Sequence, residues 1–175
     1  QAFLASRGHI ALHRKVGKVG IAYGILVVIV GFITTFNELA NGIAEGQTEA
    51  AQSGLIAPFT NVVVFAIFFG AAITYRHQTE IHKRFMLLAT VMLLIAAVLR
   101  MPVNPRFNPY LMPLFFSIWF APVLLAMTYD YATRRVIHPV YVIGLVSLTI
   151  LSFRYLVSNT DLWMSIARQL STLVS

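Results

Sequence analysis

The chain has 175 residues, of which 58% are apolar and 11% charged, with a formal net charge of +7 and no cysteine. Soluble domains carry roughly 45–50% apolar and about 25% charged residues, so a soluble globule of this length could not hide its apolar surface and lipid is the expected solvent. Disulfides, thiolate metal ligands and cysteine nucleophiles are excluded, and the basic residues sit in short clusters beside apolar runs, as topology signals do and nucleic-acid surfaces do not.

About 20 apolar residues cross a hydrocarbon core. Runs of that kind cover Val16–Phe36, Leu55–Tyr75, Phe85–Val103, Tyr110–Tyr129 and Val136–Val157. They predict an all-α polytopic bundle, a single transmembrane domain over 1–175 with five spanning helices. The chain begins at Gln1 rather than Met, which leaves room for a preceding residue or short leader. The first run is too long, and lacks the small-residue pattern, for a cleavable signal.

Span one carries Gly17, Gly24 and Gly31 at seven-residue intervals, and Gly20 with Gly24 forms a small-xxx-small pair. Glycines let helices approach closely in lipid, where packing drives association. This face is therefore expected against a neighbouring helix, in the same bundle or across a subunit boundary. Residues 37–54, rich in Asn, Gly, Gln and Ser, read as a surface loop. Pro58 falls in the first turn of span two, where proline costs little, whereas Pro122 in mid-span four removes a backbone hydrogen bond and is expected to kink the helix. Beyond the last span, Leu162, Trp163, Ile166, Leu170 and Leu173 recur at helical spacing. They predict an amphipathic helix over about 161–174, lying on the membrane interface or packed on the bundle as a cap.

Orientation follows from Lys and Arg counts. One side collects nine, Arg7, Arg14, Lys15, Lys18, Arg76, Lys83, Arg84, Arg134 and Arg135, and the other four, Arg100, Arg106, Arg154 and Arg168. The N-terminus is expected in the cytoplasm and the C-terminus outside.

His9, His13, His77, His82 and His138 all fall on the nine-residue side. His13, His82 and His138 stand at similar depth near the ends of three different spans, and imidazole is a common ligand of zinc, copper and iron. With Asp130, and Glu80 nearby, they form a candidate metal or haem b site. A haem fits less well, because its ligands usually come from the apolar part of a helix and these come from the edge. The alternative is that these residues are headgroup anchors, as His, Lys and Arg at helix ends often are.

Arg100 and Arg154 sit near the outer ends of their spans, where a charge is costly unless it snorkels or finds a partner. With Asn61 at comparable depth, and Asn104 and Glu38 as further candidates, they form a candidate site for an anionic ligand: a lipid phosphate, a haem propionate or a quinone carbonyl. Snorkelling to the headgroups is the alternative. Phe65, Phe68, Phe69, Phe115, Phe116, Trp119 and Phe120 are aromatic stripes of the kind that more often pack or face lipid than line a cofactor. There is no Walker loop, Rossmann glycine pattern, nucleophile elbow or HExxH motif, no lysine in mid-span and no carboxylate in mid-span.

The segments His13-Arg14-Lys15-Val16-Gly17, His82-Lys83-Arg84-Phe85-Met86-Leu87-Leu88-Ala89-Thr90 and Val136-Ile137-His138-Pro139 resemble a group of uncharacterised five-span bacterial inner-membrane proteins. That group has an HRxxG start, an HKRxMLLAT core and an HP motif opening its last span. The resemblance covers most of the chain, Trp163 and the terminal amphipathic helix included. It implies that His13, His82 and His138 matter more than His9 and His77 and points to Arg100 and Arg154; the chain departs from the group at Asn61, where the group's usual residue is acidic, which weakens any role that needs a charged partner for Arg100. It supplies topology and no activity.

The leading functional expectation is an accessory or binding protein, not an enzyme, of a respiratory or photosynthetic-type membrane system, holding a metal ion or haem at the histidine group. The first alternative is a structural, assembly or lipid-binding protein without a cofactor. The second is a metalloenzyme acting on lipid or quinone. Expected partners are membrane lipids and either a larger membrane complex or further copies of the chain, and no nucleic acid.

Overall fold

A computed structural model describes residues 7–98 and 109–174. The described residues are helical throughout, with no strand among them. Helix α1 spans Ile10–Ala44, α2 Thr48–Gly54, α3 Ile56–Thr74, α4 Thr79–Val98, α5 Met112–Arg134, α6 Pro139–Phe153 and α7 Asp161–Ser171, with 3-10 turns at Pro109–Leu111 and Arg154–Leu156. Five segments are long and apolar enough to cross a membrane: Ile10–Ala44, Thr48–Thr74, Thr79–Val98, Met112–Arg134 and Pro139–Leu156.

The spans are those read from hydropathy, but their bounds differ. Helix α1 runs on to Ala44 and α4 starts at Thr79, because backbone hydrogen bonding continues into polar residues after the apolar run stops. Residues 99–103 of the expected third span lie outside the described residues. Helix α5 runs through Pro122 without interruption.

The expected loop over 37–54 is corrected. It holds the end of α1, a tight turn with Gly46 at φ +77°, and α2. Its polar composition hid a second, smaller core. Leu39, Leu55 and Ile56 pack there against Trp163 and Ala167 of α7, and the buried Gln52 donates to Ser171 Oγ at 3.0 Å while its carbonyl accepts the Trp163 indole N–H at 3.0 Å. Helix α7 is thus a cap docked on α2. Trp163 and Leu170 of the expected stripe turn inward, and Leu162, Ile166 and Leu173 stay exposed.

The main core lies between α3, α4, α5 and α6, around Phe68, Leu88, Met92, Trp119, Val123 and Leu148. The glycine stripe of α1 divides. A Cβ on Gly24 would overlap the ring of Phe69, and one on Gly31 would come within 2.8 Å of Val62 Cγ2, so these two glycines bring α1 onto α3. Gly17 and Gly20 face open space. The chain alternates direction from span to span, so the starts of α1, α4 and α6 share one end of the bundle. The ends of α1, α4 and α6 share the other, beneath the α2–α7 cap.

Candidate functional site

At the first end, His82 Nδ1 donates to the Ala72 carbonyl at 2.7 Å and so ties the start of α4 to the end of α3. His138 is the N-cap of α6 and stands just outside that span. Its Nδ1 accepts the Val140 N–H at 3.3 Å, so the unprotonated nitrogen is spent on the helix backbone. Burial, and then the Arg84 guanidinium, push this imidazole below its ordinary pKa and favour the neutral form the cap needs. His13 Nδ1 is buried without a partner.

Asp130 has both oxygens occupied. Arg84 reaches it through Nε at 3.1 Å and through Nη2 at 2.8 Å and 2.6 Å. Arg84 Nη1 donates to the Glu80 carbonyl at 2.6 Å and to Glu80 Oε2 at 2.7 Å, and its guanidinium lies 5.3 Å from the Tyr141 ring centroid. Arg134 and Lys83 complete Glu80 at 2.6 Å and 2.8 Å. Among the described residues no group of three or more His, Asp or Glu is placed to hold a metal ion. His13, His82, His138 and Asp130 are not brought together as such a group: Asp130 is engaged by Arg84, and His138 caps its own helix. Arg84, counted from sequence only among the basic residues of this side, is 0% exposed and is the link between α4 and α5. The signal for it was Glu80 one helical turn before it, together with the carboxylate of Asp130 at the end of an apolar span.

At the opposite end Arg154 is 6% exposed. It follows α6 in a 3-10 turn that folds the chain toward α7, which swings the side chain under the cap and onto α3. Its Nη1 donates to Asn61 Oδ1 at 2.7 Å and to Thr60 Oγ1 at 3.2 Å. Thr60 can accept because its own proton goes to the Ile56 carbonyl. The guanidinium also lies 5.5 Å from the Tyr155 ring centroid. Nε is buried with no partner. All six acidic residues of the chain lie in the described segments, and none pairs with Arg154. Arg100, the other arginine expected here, and Asn104 lie outside the described residues.

Arg154 and Asn61 line a cavity of about 660 Å³, within the ~300–1,000 Å³ of small-ligand sites. Helix α3 packs against both α1 and α4, and the cavity is the groove between those two helices. Along α1 it runs from Val27 through Gly31, Thr34 and Thr35 to Glu38, about 16 Å at a rise of ~1.5 Å per residue. Its end beneath the cap is polar, with Glu38, Thr35, Asn61 and Arg154, while its end toward the middle of the spans is apolar, with Val27, Phe65 and Met92. A cation, amide and hydroxyls at one end and hydrocarbon walls at the other match the shape of an amphiphile whose head carries acceptor oxygens. No family profile, curated protein sequence or solved structure matches this chain.

Proposed function

We propose that this integral membrane protein binds a phosphate-headed lipid in the groove between α1 and α4, with the head on Arg154 and a tail along Val27, Phe65 and Met92. The observation that supports it is a buried guanidinium that lines a cavity and has no ion-pair partner among the described residues. Arginine cannot shed its proton. A buried charge left without a counter-ion costs several kcal/mol, on the order of ~3–5 kcal/mol when a partner is deleted, and an anionic ligand removes that cost. Nη2, which makes no hydrogen bond among the described residues, is the guanidinium nitrogen left to donate to an oxoanion.

The excess of Lys and Arg at the histidine end, nine against four, supports a cytoplasmic N-terminus and, with the HRxxG, HKRxMLLAT and HP motifs, a bacterial inner-membrane setting. On that orientation the groove faces the outer leaflet. The cofactor-holding accessory role has no ligand group among the described residues to carry it.

The test is lipid identification by mass spectrometry on protein purified in mild detergent. Wild type should retain near-stoichiometric phospholipid, and Arg154→Gln should lose it. Leu93→Trp, which fills the groove from its α4 wall and leaves the arginine in place, should lose it too. Equal lipid content in wild type and both folded variants sinks the proposal.

A further inference from the structure

We infer that the groove selects a zwitterionic head, a phosphate diester carrying a primary ammonium, through walls of opposite hydrogen-bonding sense. This rests on the phospholipid site proposed above. Helix α1 presents acceptors only. Thr34 Oγ1 gives its proton to the Val30 and Gly31 carbonyls at 2.9 Å and 3.0 Å, and Thr35 Oγ1 gives its proton to Gly31 at 2.7 Å. A hydroxyl has one proton, so both oxygens have only lone pairs left to offer. Glu38 lines the same wall and takes part in no ion pair among the described residues.

The opposite wall presents donors. Arg154 keeps Nη2, and Asn61, whose Oδ1 is taken by Arg154, keeps its amide NH₂. A cation and an anion therefore line one cavity without pairing with each other.

This pattern separates ligand chemistries. A quinone carbonyl or a fatty carboxylate satisfies Arg154 but brings no donor for Glu38, Thr34 and Thr35. A phosphoglycerol head brings hydroxyl donors but leaves the Glu38 charge uncompensated. A phosphocholine head brings a positive charge without N–H donors. A phosphoethanolamine head supplies both: its phosphate oxygens accept from Arg154 and Asn61, and its ammonium donates three hydrogen bonds to the α1 wall.

Native mass spectrometry of the full chain in detergent, titrated with phosphatidylethanolamine, phosphatidylglycerol and phosphatidylcholine of identical acyl chains, tests this. Phosphatidylethanolamine should bind about tenfold more tightly than either competitor, the scale of one charge-assisted contact. Glu38→Gln should erase that preference. Displacement by soluble O-phosphoethanolamine would support the head chemistry with a water-borne source. Retained lipid in its presence, with the preference intact, would support the same chemistry with the lipid as source. Equal binding of the three lipids, or a preference that survives Glu38→Gln, overturns the inference. If that binding is still lost in Arg154→Gln, the phospholipid site itself stands. No lipid bound by wild type above the level of Leu93→Trp overturns both.

Discussion

Arg84 and Arg154 are both buried, at 0% and 6% exposure, yet their surroundings are opposite. Arg84 meets Asp130 and Glu80 through all three of its nitrogens. Arg154 spends Nη1 on two neutral side chains, leaves Nε without a partner, and lines an open groove. A charge that is saturated internally joins helices, and one that is not is available to a ligand. Burial alone does not distinguish the two roles; the account of donors and acceptors does.

The largest way to break that contrast is at the saturated end. Asp130→Asn leaves Arg84 buried against a neutral partner, and thermal unfolding in detergent should show a loss of about 3–5 kcal/mol. The double substitution Arg84→Met with Asp130→Leu should recover most of it, because apolar residues of similar volume replace a buried ion pair at little cost. A double variant as unstable as the single would mean that the pair does more than join α4 to α5.

Arg154→Gln probes the other end. The phospholipid affinity should fall by about 2 kcal/mol, roughly thirtyfold, with a much smaller change in the melting temperature of lipid-free protein than Asp130→Asn produces. A stability loss equal to that of Asp130→Asn, with lipid retained, would make the two arginines alike. Asn61→Asp gives Arg154 the carboxylate that Arg84 already has. It should raise the stability of lipid-free protein by about 1 kcal/mol and weaken lipid binding, read by the same titration; binding unchanged would place the lipid elsewhere.

The smallest effect concerns His138, which caps α6 beside Arg84. Its folded-state pKa lies below the ordinary value near 6.5, so the unfolded chain binds the proton more readily. The stability it contributes is fully present above about pH 6.5 and is lost as pH falls from there through the lowered folded-state value. His138→Asn, which keeps a capping acceptor that does not titrate, should flatten that part of the stability–pH profile. An unchanged profile would remove His138 as its source.

Much of the fold was legible because lipid imposes a one-dimensional rule. Apolar length marks a span, and Pro58, Pro113 and Pro139 each lie in the first turns of their helices. The 37–54 segment was misread because Gln52 is used inward while most of the polar residues around it stay exposed, and composition cannot distinguish a solvated amide from one bonded to Ser171. The histidine group meets the same limit: shared depth in the membrane is visible in sequence, but the direction of each imidazole is not. Arg154 with Asn61 was legible as a candidate pair because a charge near the end of an apolar run is costly wherever it points.

The sequence by itself determined five apolar spans, the terminal amphipathic helix and the side on which basic residues gather, since each follows from local hydropathy and spacing. Only the tertiary structure decided that Asp130 belongs to Arg84, that Gly24 and Gly31 are occupied by α3, and that Arg154 has no ion-pair partner among the described residues at the head of a groove. Those outcomes depend on which residues distant in sequence come within about 3 Å of one another, and hydrogen-bond partnership at that range is set by helix packing that no local pattern encodes.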